Sequence, residues 1–425
     1  MNGVLAELWQ RSPLTWGVRA LLALLVAGIG YIAVTQSLAL TLAKQDIARA
    51  HHFAPHNSQL LAELSRKQLI EKAADFNNNL DHPNAAMQHE FDALEVMSKR
   101  ALARDATAIP AITTLGILAE LHGDHTLAER WFNYSQHLSR RDLITQLWLI
   151  ENAVAQGEIP EALRHYDIAL RANRGAEDLL FPVLTAASGD NKIAPELIQL
   201  LRTKPPWINH FIAYAARNTK DTAATAKLFL ALHNAGVTVS EYPSASLINR
   251  LVAGKQFDTA WNYYSAIRPN VDRQRSRNPK FAHTYDPPSI FDWVMTSSDS
   301  GLVASIQASA QGGLFDFAAP PSVGGQLIQQ LQMLPAGAYR IEGVSAGIDQ
   351  PDSTRPYWVL RCNASGREVG RVELPNSSEN GGRFSGHFVV PSNCPVQVLA
   401  LIARGSDSMT GLSGQIEHVM LQPKK

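Results

Sequence analysis

The chain has 425 residues, more than one ordinary domain holds, so two or three domains are expected. With 45% hydrophobic and 18% charged residues it has apolar material for folded cores, which excludes a mainly disordered chain. Lys plus Arg and Asp plus Glu are both 38, so the formal net charge is zero. Such a chain lacks the basic excess with which a general nucleic-acid binder displaces counterions, and no nucleic-acid partner is expected. Its two cysteines exclude a disulfide-rich scaffold and a four-thiolate zinc site.

Residues 1–19 read as a short cytoplasmic tail. Residues 20–43 carry no charge, and the run from Ala20 to Val34 is strongly apolar. A helix over the uncharged stretch would be about 36 Å long, enough to cross a hydrocarbon core of about 30 Å. Trp16 and Arg19 stand at its start, as an interfacial aromatic and a snorkelling cation do. The expectation is a single transmembrane anchor in contact with the lipid bilayer, with a cleaved signal peptide as the rival. A short leading tail and a large trailing body favour keeping the tail in the cytosol.

The middle of the chain repeats every 34 residues: Leu115 returns as Leu149, Ala119 as Ala153, Gly123 as Gly157, Ala128 as Ala162 and Phe132 as Tyr166. Ala101, Ser135 and Ala169 hold one further position of the period. This pattern resembles the tetratricopeptide repeat (TPR), a pair of antiparallel helices. Leu115-Gly116 matches the family's Leu-Gly step, and Ala128 and Ala162 its small residue at the helix crossing. Phe132 and Tyr166 match the aromatic of its second helix. Ile112 and Gln146 stand where the family has Trp, and its terminal Pro is missing, so no peptide-binding surface is carried over. A single hairpin cannot bury its own apolar face, so hairpins must stack. Helical spacing extends upstream over Ser58–Ala74 and Ala85–Ala103, and downstream over Trp207–Ala216, Ala223–Leu232, Ala245–Val252 and Phe257–Ile267. Residues 45–268 are expected to form one α-solenoid.

Residues 269–288 form a Pro- and Arg-containing linker. The basic group Arg268, Arg273, Arg275, Arg277 and Lys280 reads as a solvated charge run leaving the helical part. Past residue 288 the period becomes two. Strands are expected at Gly301–Gln307, Gln326–Leu334, Ala338–Val344, Tyr357–Cys362, Arg367–Leu374, Arg383–Val390, Val396–Ala403 and Gln415–Leu421. About eight to ten strands over residues 289–425 make an all-β sandwich or jelly roll. The passage Gly325–Arg340, with Gln326, an apolar strand and then Pro335-Ala336-Gly337-Ala338-Tyr339, resembles that of carbohydrate-binding-module jelly rolls. Cys362 and Cys394 lie in or beside separate strands of this domain and are expected to form a disulfide, in keeping with an exported body.

Glycan-binding modules use flat aromatic faces against sugar rings and polar groups on hydroxyls. The candidates are Trp293, Tyr357, Trp358 and Arg361, with Tyr357 and Trp358 on opposite faces of their strand. Gly343-Val344-Ser345-Ala346-Gly347 fits the pattern of a hydrolase nucleophile elbow, with Asp407 and His418 later in the chain. That elbow needs a following helix, which Ile348 to Asp352 is not expected to begin, so no catalytic residue is assigned. Residues His51, His52, His122 and His125 read as solvated, and no metal ligand set or cofactor motif appears.

The order of anchor, helical repeats and sandwich resembles bacterial envelope proteins associated with exopolysaccharide or capsule assembly. The phrases Leu138-Ser139-Arg140-Arg141-Asp142 and Tyr166-Asp167-Ile168-Ala169-Leu170-Arg171 share in that likeness. The resemblance implies a non-enzymatic periplasmic scaffold on the inner membrane. Its solenoid would bind a protein of the polysaccharide machinery, and its sandwich would bind glycan or dock on the solenoid. A protein-only assembly factor with a structural sandwich is the alternative, and a polysaccharide-modifying hydrolase or lyase a minor one.

Overall fold

A computed structural model describes residues 13–78, 85–296, 301–309, 312–406 and 409–424. Residues 1–12 of the expected tail lie outside them, as does Asp407. The chain divides into two compact units, Met1–Ala176 and Glu177–Lys425. The division falls inside the stretch expected as one solenoid. The multidomain architecture of a long apolar helix, helical hairpins and a β-sandwich is the one the sequence implies.

The first unit opens with α1 (Pro13–Leu42), whose stretch Trp16–Ala39 has a mean hydropathy of 2.1 and is exposed along nearly all of its length before Ala39. It is the one helix among the described residues long and apolar enough to cross a membrane. Its end turns back through Ala39, which packs on Ala50 of α2 (Ile47–Phe53) and Leu60 of α3 (Ser58–Asn78). Helix α4 (Ala85–Arg104) meets α3 where the buried hydroxyls of Ser65 and Ser98 lie 3.1 Å apart. Two hairpins follow, α5 (Ile109–Leu121) with α6 (His125–Leu138), and α7 (Leu143–Ala155) with α8 (Ile159–Ala172). Their turns use the repeating glycines, Gly123 at φ +78° and Gly157 at φ +77°, a left-handed backbone that disfavours a Cβ. Asp124 and Asp142 cap the next helices by accepting from the Leu127 and Thr145 amides at 3.0 and 2.9 Å. Gly116 has its own reason: a Cβ there would stand 2.7 Å from the Phe132 ring. The Leu-Gly step and the aromatic one helix later are two halves of one close contact. Ile112 and Gln146, at the family's Trp position, are both buried.

The second unit begins with six helices: α9 (Ala176–Ala187), α10 (Ile193–Arg202), α11 (Ile208–Asn218), α12 (Thr222–Asn234), α13 (Glu241–Ala253) and α14 (Phe257–Ile267). Aromatic pairs fill their core. Phe181 lies against Phe211 with centroids 5.6 Å apart, and Phe229 against Tyr263 at 6.2 Å.

The sandwich contains β1 (Val294–Met295), β2 (Val303–Gln307), β3 (Leu314–Ala319), β4 (Gly325–Gln332), β5 (Gly337–Ala346), β6 (Tyr357–Cys362), β7 (Glu368–Glu373), β8 (Arg383–Val390), β9 (Gln397–Ala403) and β10 (Leu412–Pro423). One antiparallel sheet has the order β1-β4-β9-β6-β7, the other β2-β3-β10-β5-β8. From β3 onward the chain passes repeatedly between the sheets, as a jelly roll does. Alternating side chains from both sheets build one core, with Trp358, Phe315, Phe388, Leu399 and Ile416 at its centre.

The linker is the main difference from expectation. Arg268 and Arg277 are buried instead of solvated. Residues 276–279 continue along the end of β10: the Ser276 amide donates to the Leu421 carbonyl at 2.9 Å, and the Val419 amide donates to the Pro279 carbonyl at 2.9 Å. Phe281 joins the sandwich core. A chain that supplies a core residue and ladder hydrogen bonds is part of the domain it leads into.

Candidate functional site

Strand β6 sets its side chains alternately inward and outward. Trp358 and Leu360 point into the core, so Tyr357, Val359 and Arg361 lie on the outer face of the first sheet. Trp358 is 0% exposed and Trp293 4%, with ring centroids 5.8 Å apart. The Trp293 indole N–H donates to the Asn278 carbonyl at 3.0 Å. Both tryptophans expected as glycan contacts are therefore core residues. Burying two large rings between the sheets stabilises the fold and leaves neither ring a face for a sugar.

Tyr357 and Arg361 remain available on the outer face. Register places Glu373 and Ile402 beside Tyr357, Arg371 and Ala400 beside Val359, and Glu368 and Val398 beside Arg361. The guanidinium carbons of Arg371 and Arg404 lie 4.7 and 4.6 Å from the half-buried Tyr357 ring centroid. Arg371 is gripped by both Glu368 oxygens at 2.7 Å, and Arg404 donates to Glu373 at 2.7 Å. The Arg371 hydrogen bonds, then its charge and that of Arg361, hold the Glu368 carboxyl below the usual carboxylate range. The face thus offers a fixed aromatic ring, three guanidinium groups and two carboxylates. These are donors and acceptors suited to hydroxyls, carboxylates or sulfates of a polar ligand. Sequence reasoning missed Arg371, Arg404, Glu368 and Glu373. Pairing β6 with β7 as a hairpin would have found three of them, whereas Arg404 had no local signal.

A cavity of about 820 Å³ lies under residues 268–288. Arg268 forms a bidentate pair with Glu241 at 3.1 and 2.6 Å, and its guanidinium carbon lies 3.5 Å from the Tyr285 ring centroid. The buried Asp292 carboxylate accepts from the Tyr264 hydroxyl at 2.9 Å and from the Ser289 hydroxyl at 2.7 Å. Burial, and secondly the Asp292 charge, push the Tyr264 hydroxyl well above its ordinary range. These groups answer one another, and they bind the sandwich to the last two helices.

Ser345 does not sit in a nucleophile elbow. It is buried within β5, and its hydroxyl donates to the Gly382 carbonyl at 3.1 Å. His125 pairs with Glu120 at 2.6 Å, and His122 lies 3.0 Å from Gln88, both on the surface. Cys362 and Cys394 form the expected disulfide, with Cα atoms 5.5 Å apart.

No protein-family model matches the chain, and no curated protein does. Solved structures are similar to its sandwich. The carbohydrate-binding module TmCBM61, solved with beta-1,4-galactotriose, is 16% identical with a TM-score of 0.25, over 35% of this chain and 97% of that one. The CBM22-1 xylan-binding domain of Paenibacillus barcinonensis Xyn10C is 9% identical with a TM-score of 0.22, over 34% and 90%. The enzymatically active domain of the bacteriophage CBA120 tailspike protein 4 is 12% identical with a TM-score of 0.24, over 36% of this chain and 21% of that one.

Proposed function

We propose that this protein is a membrane-tethered, non-enzymatic scaffold of bacterial envelope polysaccharide assembly, whose sandwich holds glycan on the outer face of β6 and β7. The single observation that carries the reading is the Tyr357 ring with Arg371 and Arg404 against it, Glu368 and Glu373 fixing both guanidinium groups. Such a group is built at a cost in side-chain entropy and contributes little stability on an exposed face. A ligand with hydroxyl and carboxylate groups gives it a use. In this reading α1 is the inner-membrane anchor, the body is periplasmic, and the helical hairpins hold a protein of the polysaccharide machinery.

The full chain in a mild detergent, run through gels containing acidic or neutral polysaccharides, tests the proposal. Retardation by at least one polysaccharide, lost in Tyr357→Ala and in Arg371→Ala, is expected. No retardation by any of them refutes glycan holding. A specific observation keeps the protein-only reading alive: the two guanidinium groups already occupy the Tyr357 ring. Recovery of envelope proteins without sugar on pull-down would favour it.

A further inference from the structure

The first unit has a groove of about 750 Å³ that begins where α1 ends. Its walls include Lys44, Arg66, Lys67 and Arg141, with Ile47 and Ile70 among the apolar positions. Three carboxylates share it. Glu63 and Asp142 both pair with Arg66, at 2.7 and 2.9 Å, and Glu71 faces Lys67 at 3.8 Å. Lys44 and Arg141, both exposed, are the two groove cations with no carboxylate against them among the described residues. Lys44 follows the last residue of the apolar stretch, Ala39, by a rise of about 7 Å. The headgroup layer is about 5–8 Å deep on each side of the hydrocarbon. Ile70 is 50% exposed beside these charges, so the groove has an apolar wall as well as cations.

We infer that this groove binds the phosphodiester headgroup of an anionic phospholipid from the leaflet that α1 leaves. The inference rests on α1 spanning the bilayer, a part of the proposed function. Lys44 and Arg141 meet the phosphate, while the exposed Ile70 covers the glycerol end of the chains and the buried Ile47 backs the wall. Arg66 is already neutralised by its two carboxylates and serves to hold the wall. A zwitterionic lipid, whose ammonium cancels the phosphate, gains little from two free cations.

The full chain in non-ionic detergent is titrated with phosphatidylglycerol and, separately, phosphatidylcholine, and bound lipid is counted by native mass spectrometry. Phosphatidylglycerol is expected to bind tighter, and Lys44→Ala/Arg141→Ala to weaken it about thirtyfold, a factor of about five per basic residue. Phosphatidylcholine binding should stay unchanged in that variant. Equal binding of the two lipids, or wild-type phosphatidylglycerol binding by the variant, overturns the inference. Should the variant lose its helical circular dichroism, a salt titration of the wild type decides: a preference that persists undiminished at high salt is not electrostatic and overturns it. Alkaline extraction of membranes tests the span separately. A chain released by alkali refutes the anchor, whereas a retained chain without lipid preference refutes the groove alone.

Discussion

Replacing Arg277 by Met should loosen the entry into the sandwich. The Arg277 guanidinium donates to the Phe291 carbonyl from Nε at 3.1 Å and from Nη2 at 2.9 Å, to the Gln332 side-chain oxygen at 2.8 Å, and to the Leu331 carbonyl. It also lies 5.7 and 5.8 Å from the Trp261 and Phe291 rings. Burial pulls its pKa below the ordinary arginine value, although Tyr264 and Asp292 act against that. Met fills similar space but donates nothing. At least two buried acceptors, the Phe291 carbonyl and Gln332, lose their partner, at about 1–3 kcal/mol each. Relief of the guanidinium's own desolvation offsets part of this, leaving a net loss of about 3 kcal/mol. A chain of two units need not unfold in one step, so a single unfolding free energy is the wrong measure. Amide exchange at Ser276 and Val419, which bond between the linker and β10, reads the local opening directly. Exchange there should speed by about two orders of magnitude, in line with about 3 kcal/mol. An increase below about fivefold, under about 1 kcal/mol, would refute the assignment of Arg277 as the group that holds the linker down.

Two further predictions concern stability. Reducing the Cys362–Cys394 bond, or replacing both by Ser, frees a loop of 32 residues and should lower sandwich stability by about 4 kcal/mol in the chain-entropy estimate; a loss below about 1 kcal/mol would contradict it. His165 is buried, its Nδ1 is 2.9 Å from the Gln146 side-chain oxygen, and its Nε2 is 3.2 Å from both Arg164 Nη2 and Glu161. Desolvation first, then Arg164, hold its pKa below the ordinary 6.5, against the pull of Glu161. The unfolded chain therefore takes up this proton more readily than the folded one. The stabilisation is present above pH 6.5 and is lost as pH falls from there through the folded pKa. Thermal unfolding of the wild type between about pH 7.5 and 5.5 should lose more midpoint than His165→Gln does, and parallel curves would refute it.

Much of this fold was written locally. Gly123 and Gly157 mark turns because each needs a left-handed backbone, and β6 runs from Tyr357 to Cys362 as its alternation implies. The expected disulfide forms because Cys362 ends β6 and Cys394 leads into β9, its neighbour, at the same end of one sheet. What escaped was set by partners distant in sequence. Strand β1 has two residues, too few for any period, and exists because Val294 and Met295 pair with Gln329 and Ile328. Strand β3 carries a readable alternation, with Phe315, Phe317 and Ala319 inward, yet is flanked by glycines and prolines that resemble loop. Arg277 looks like its solvated neighbours Arg273 and Arg275 in sequence. Its burial is decided by Gln332 and Phe291, and nothing within a few residues announces them. The site shows the same limit. A strand pattern tells which of Tyr357 and Trp358 share a face, but not which face is covered; the core took the tryptophan.

The way the sandwich is attached bears on whether its outer face is free to work. Helices α13 and α14 meet the β1 side of the first sheet: Asn249 accepts from the Ile290 amide at 2.8 Å, and Phe291 packs on Trp261 and Tyr264 at 5.5 and 5.2 Å. That contact lies just before β1, the edge strand of this sheet. Strand β6 is three places along the sheet from β1, a distance of about 14 Å. Along β6 itself, Cys362 lines a hollow with Phe257 of α14, while Tyr357 begins the strand about 17 Å away. The helices of this unit therefore hold the sandwich by one edge and one end of the sheet, and the Tyr357 group stands at the other end. A sandwich serving only as packing for these helices would need no ordered aromatic and ion-pair group there. The placement of that group adds to its composition in favouring glycan holding over a purely structural sandwich.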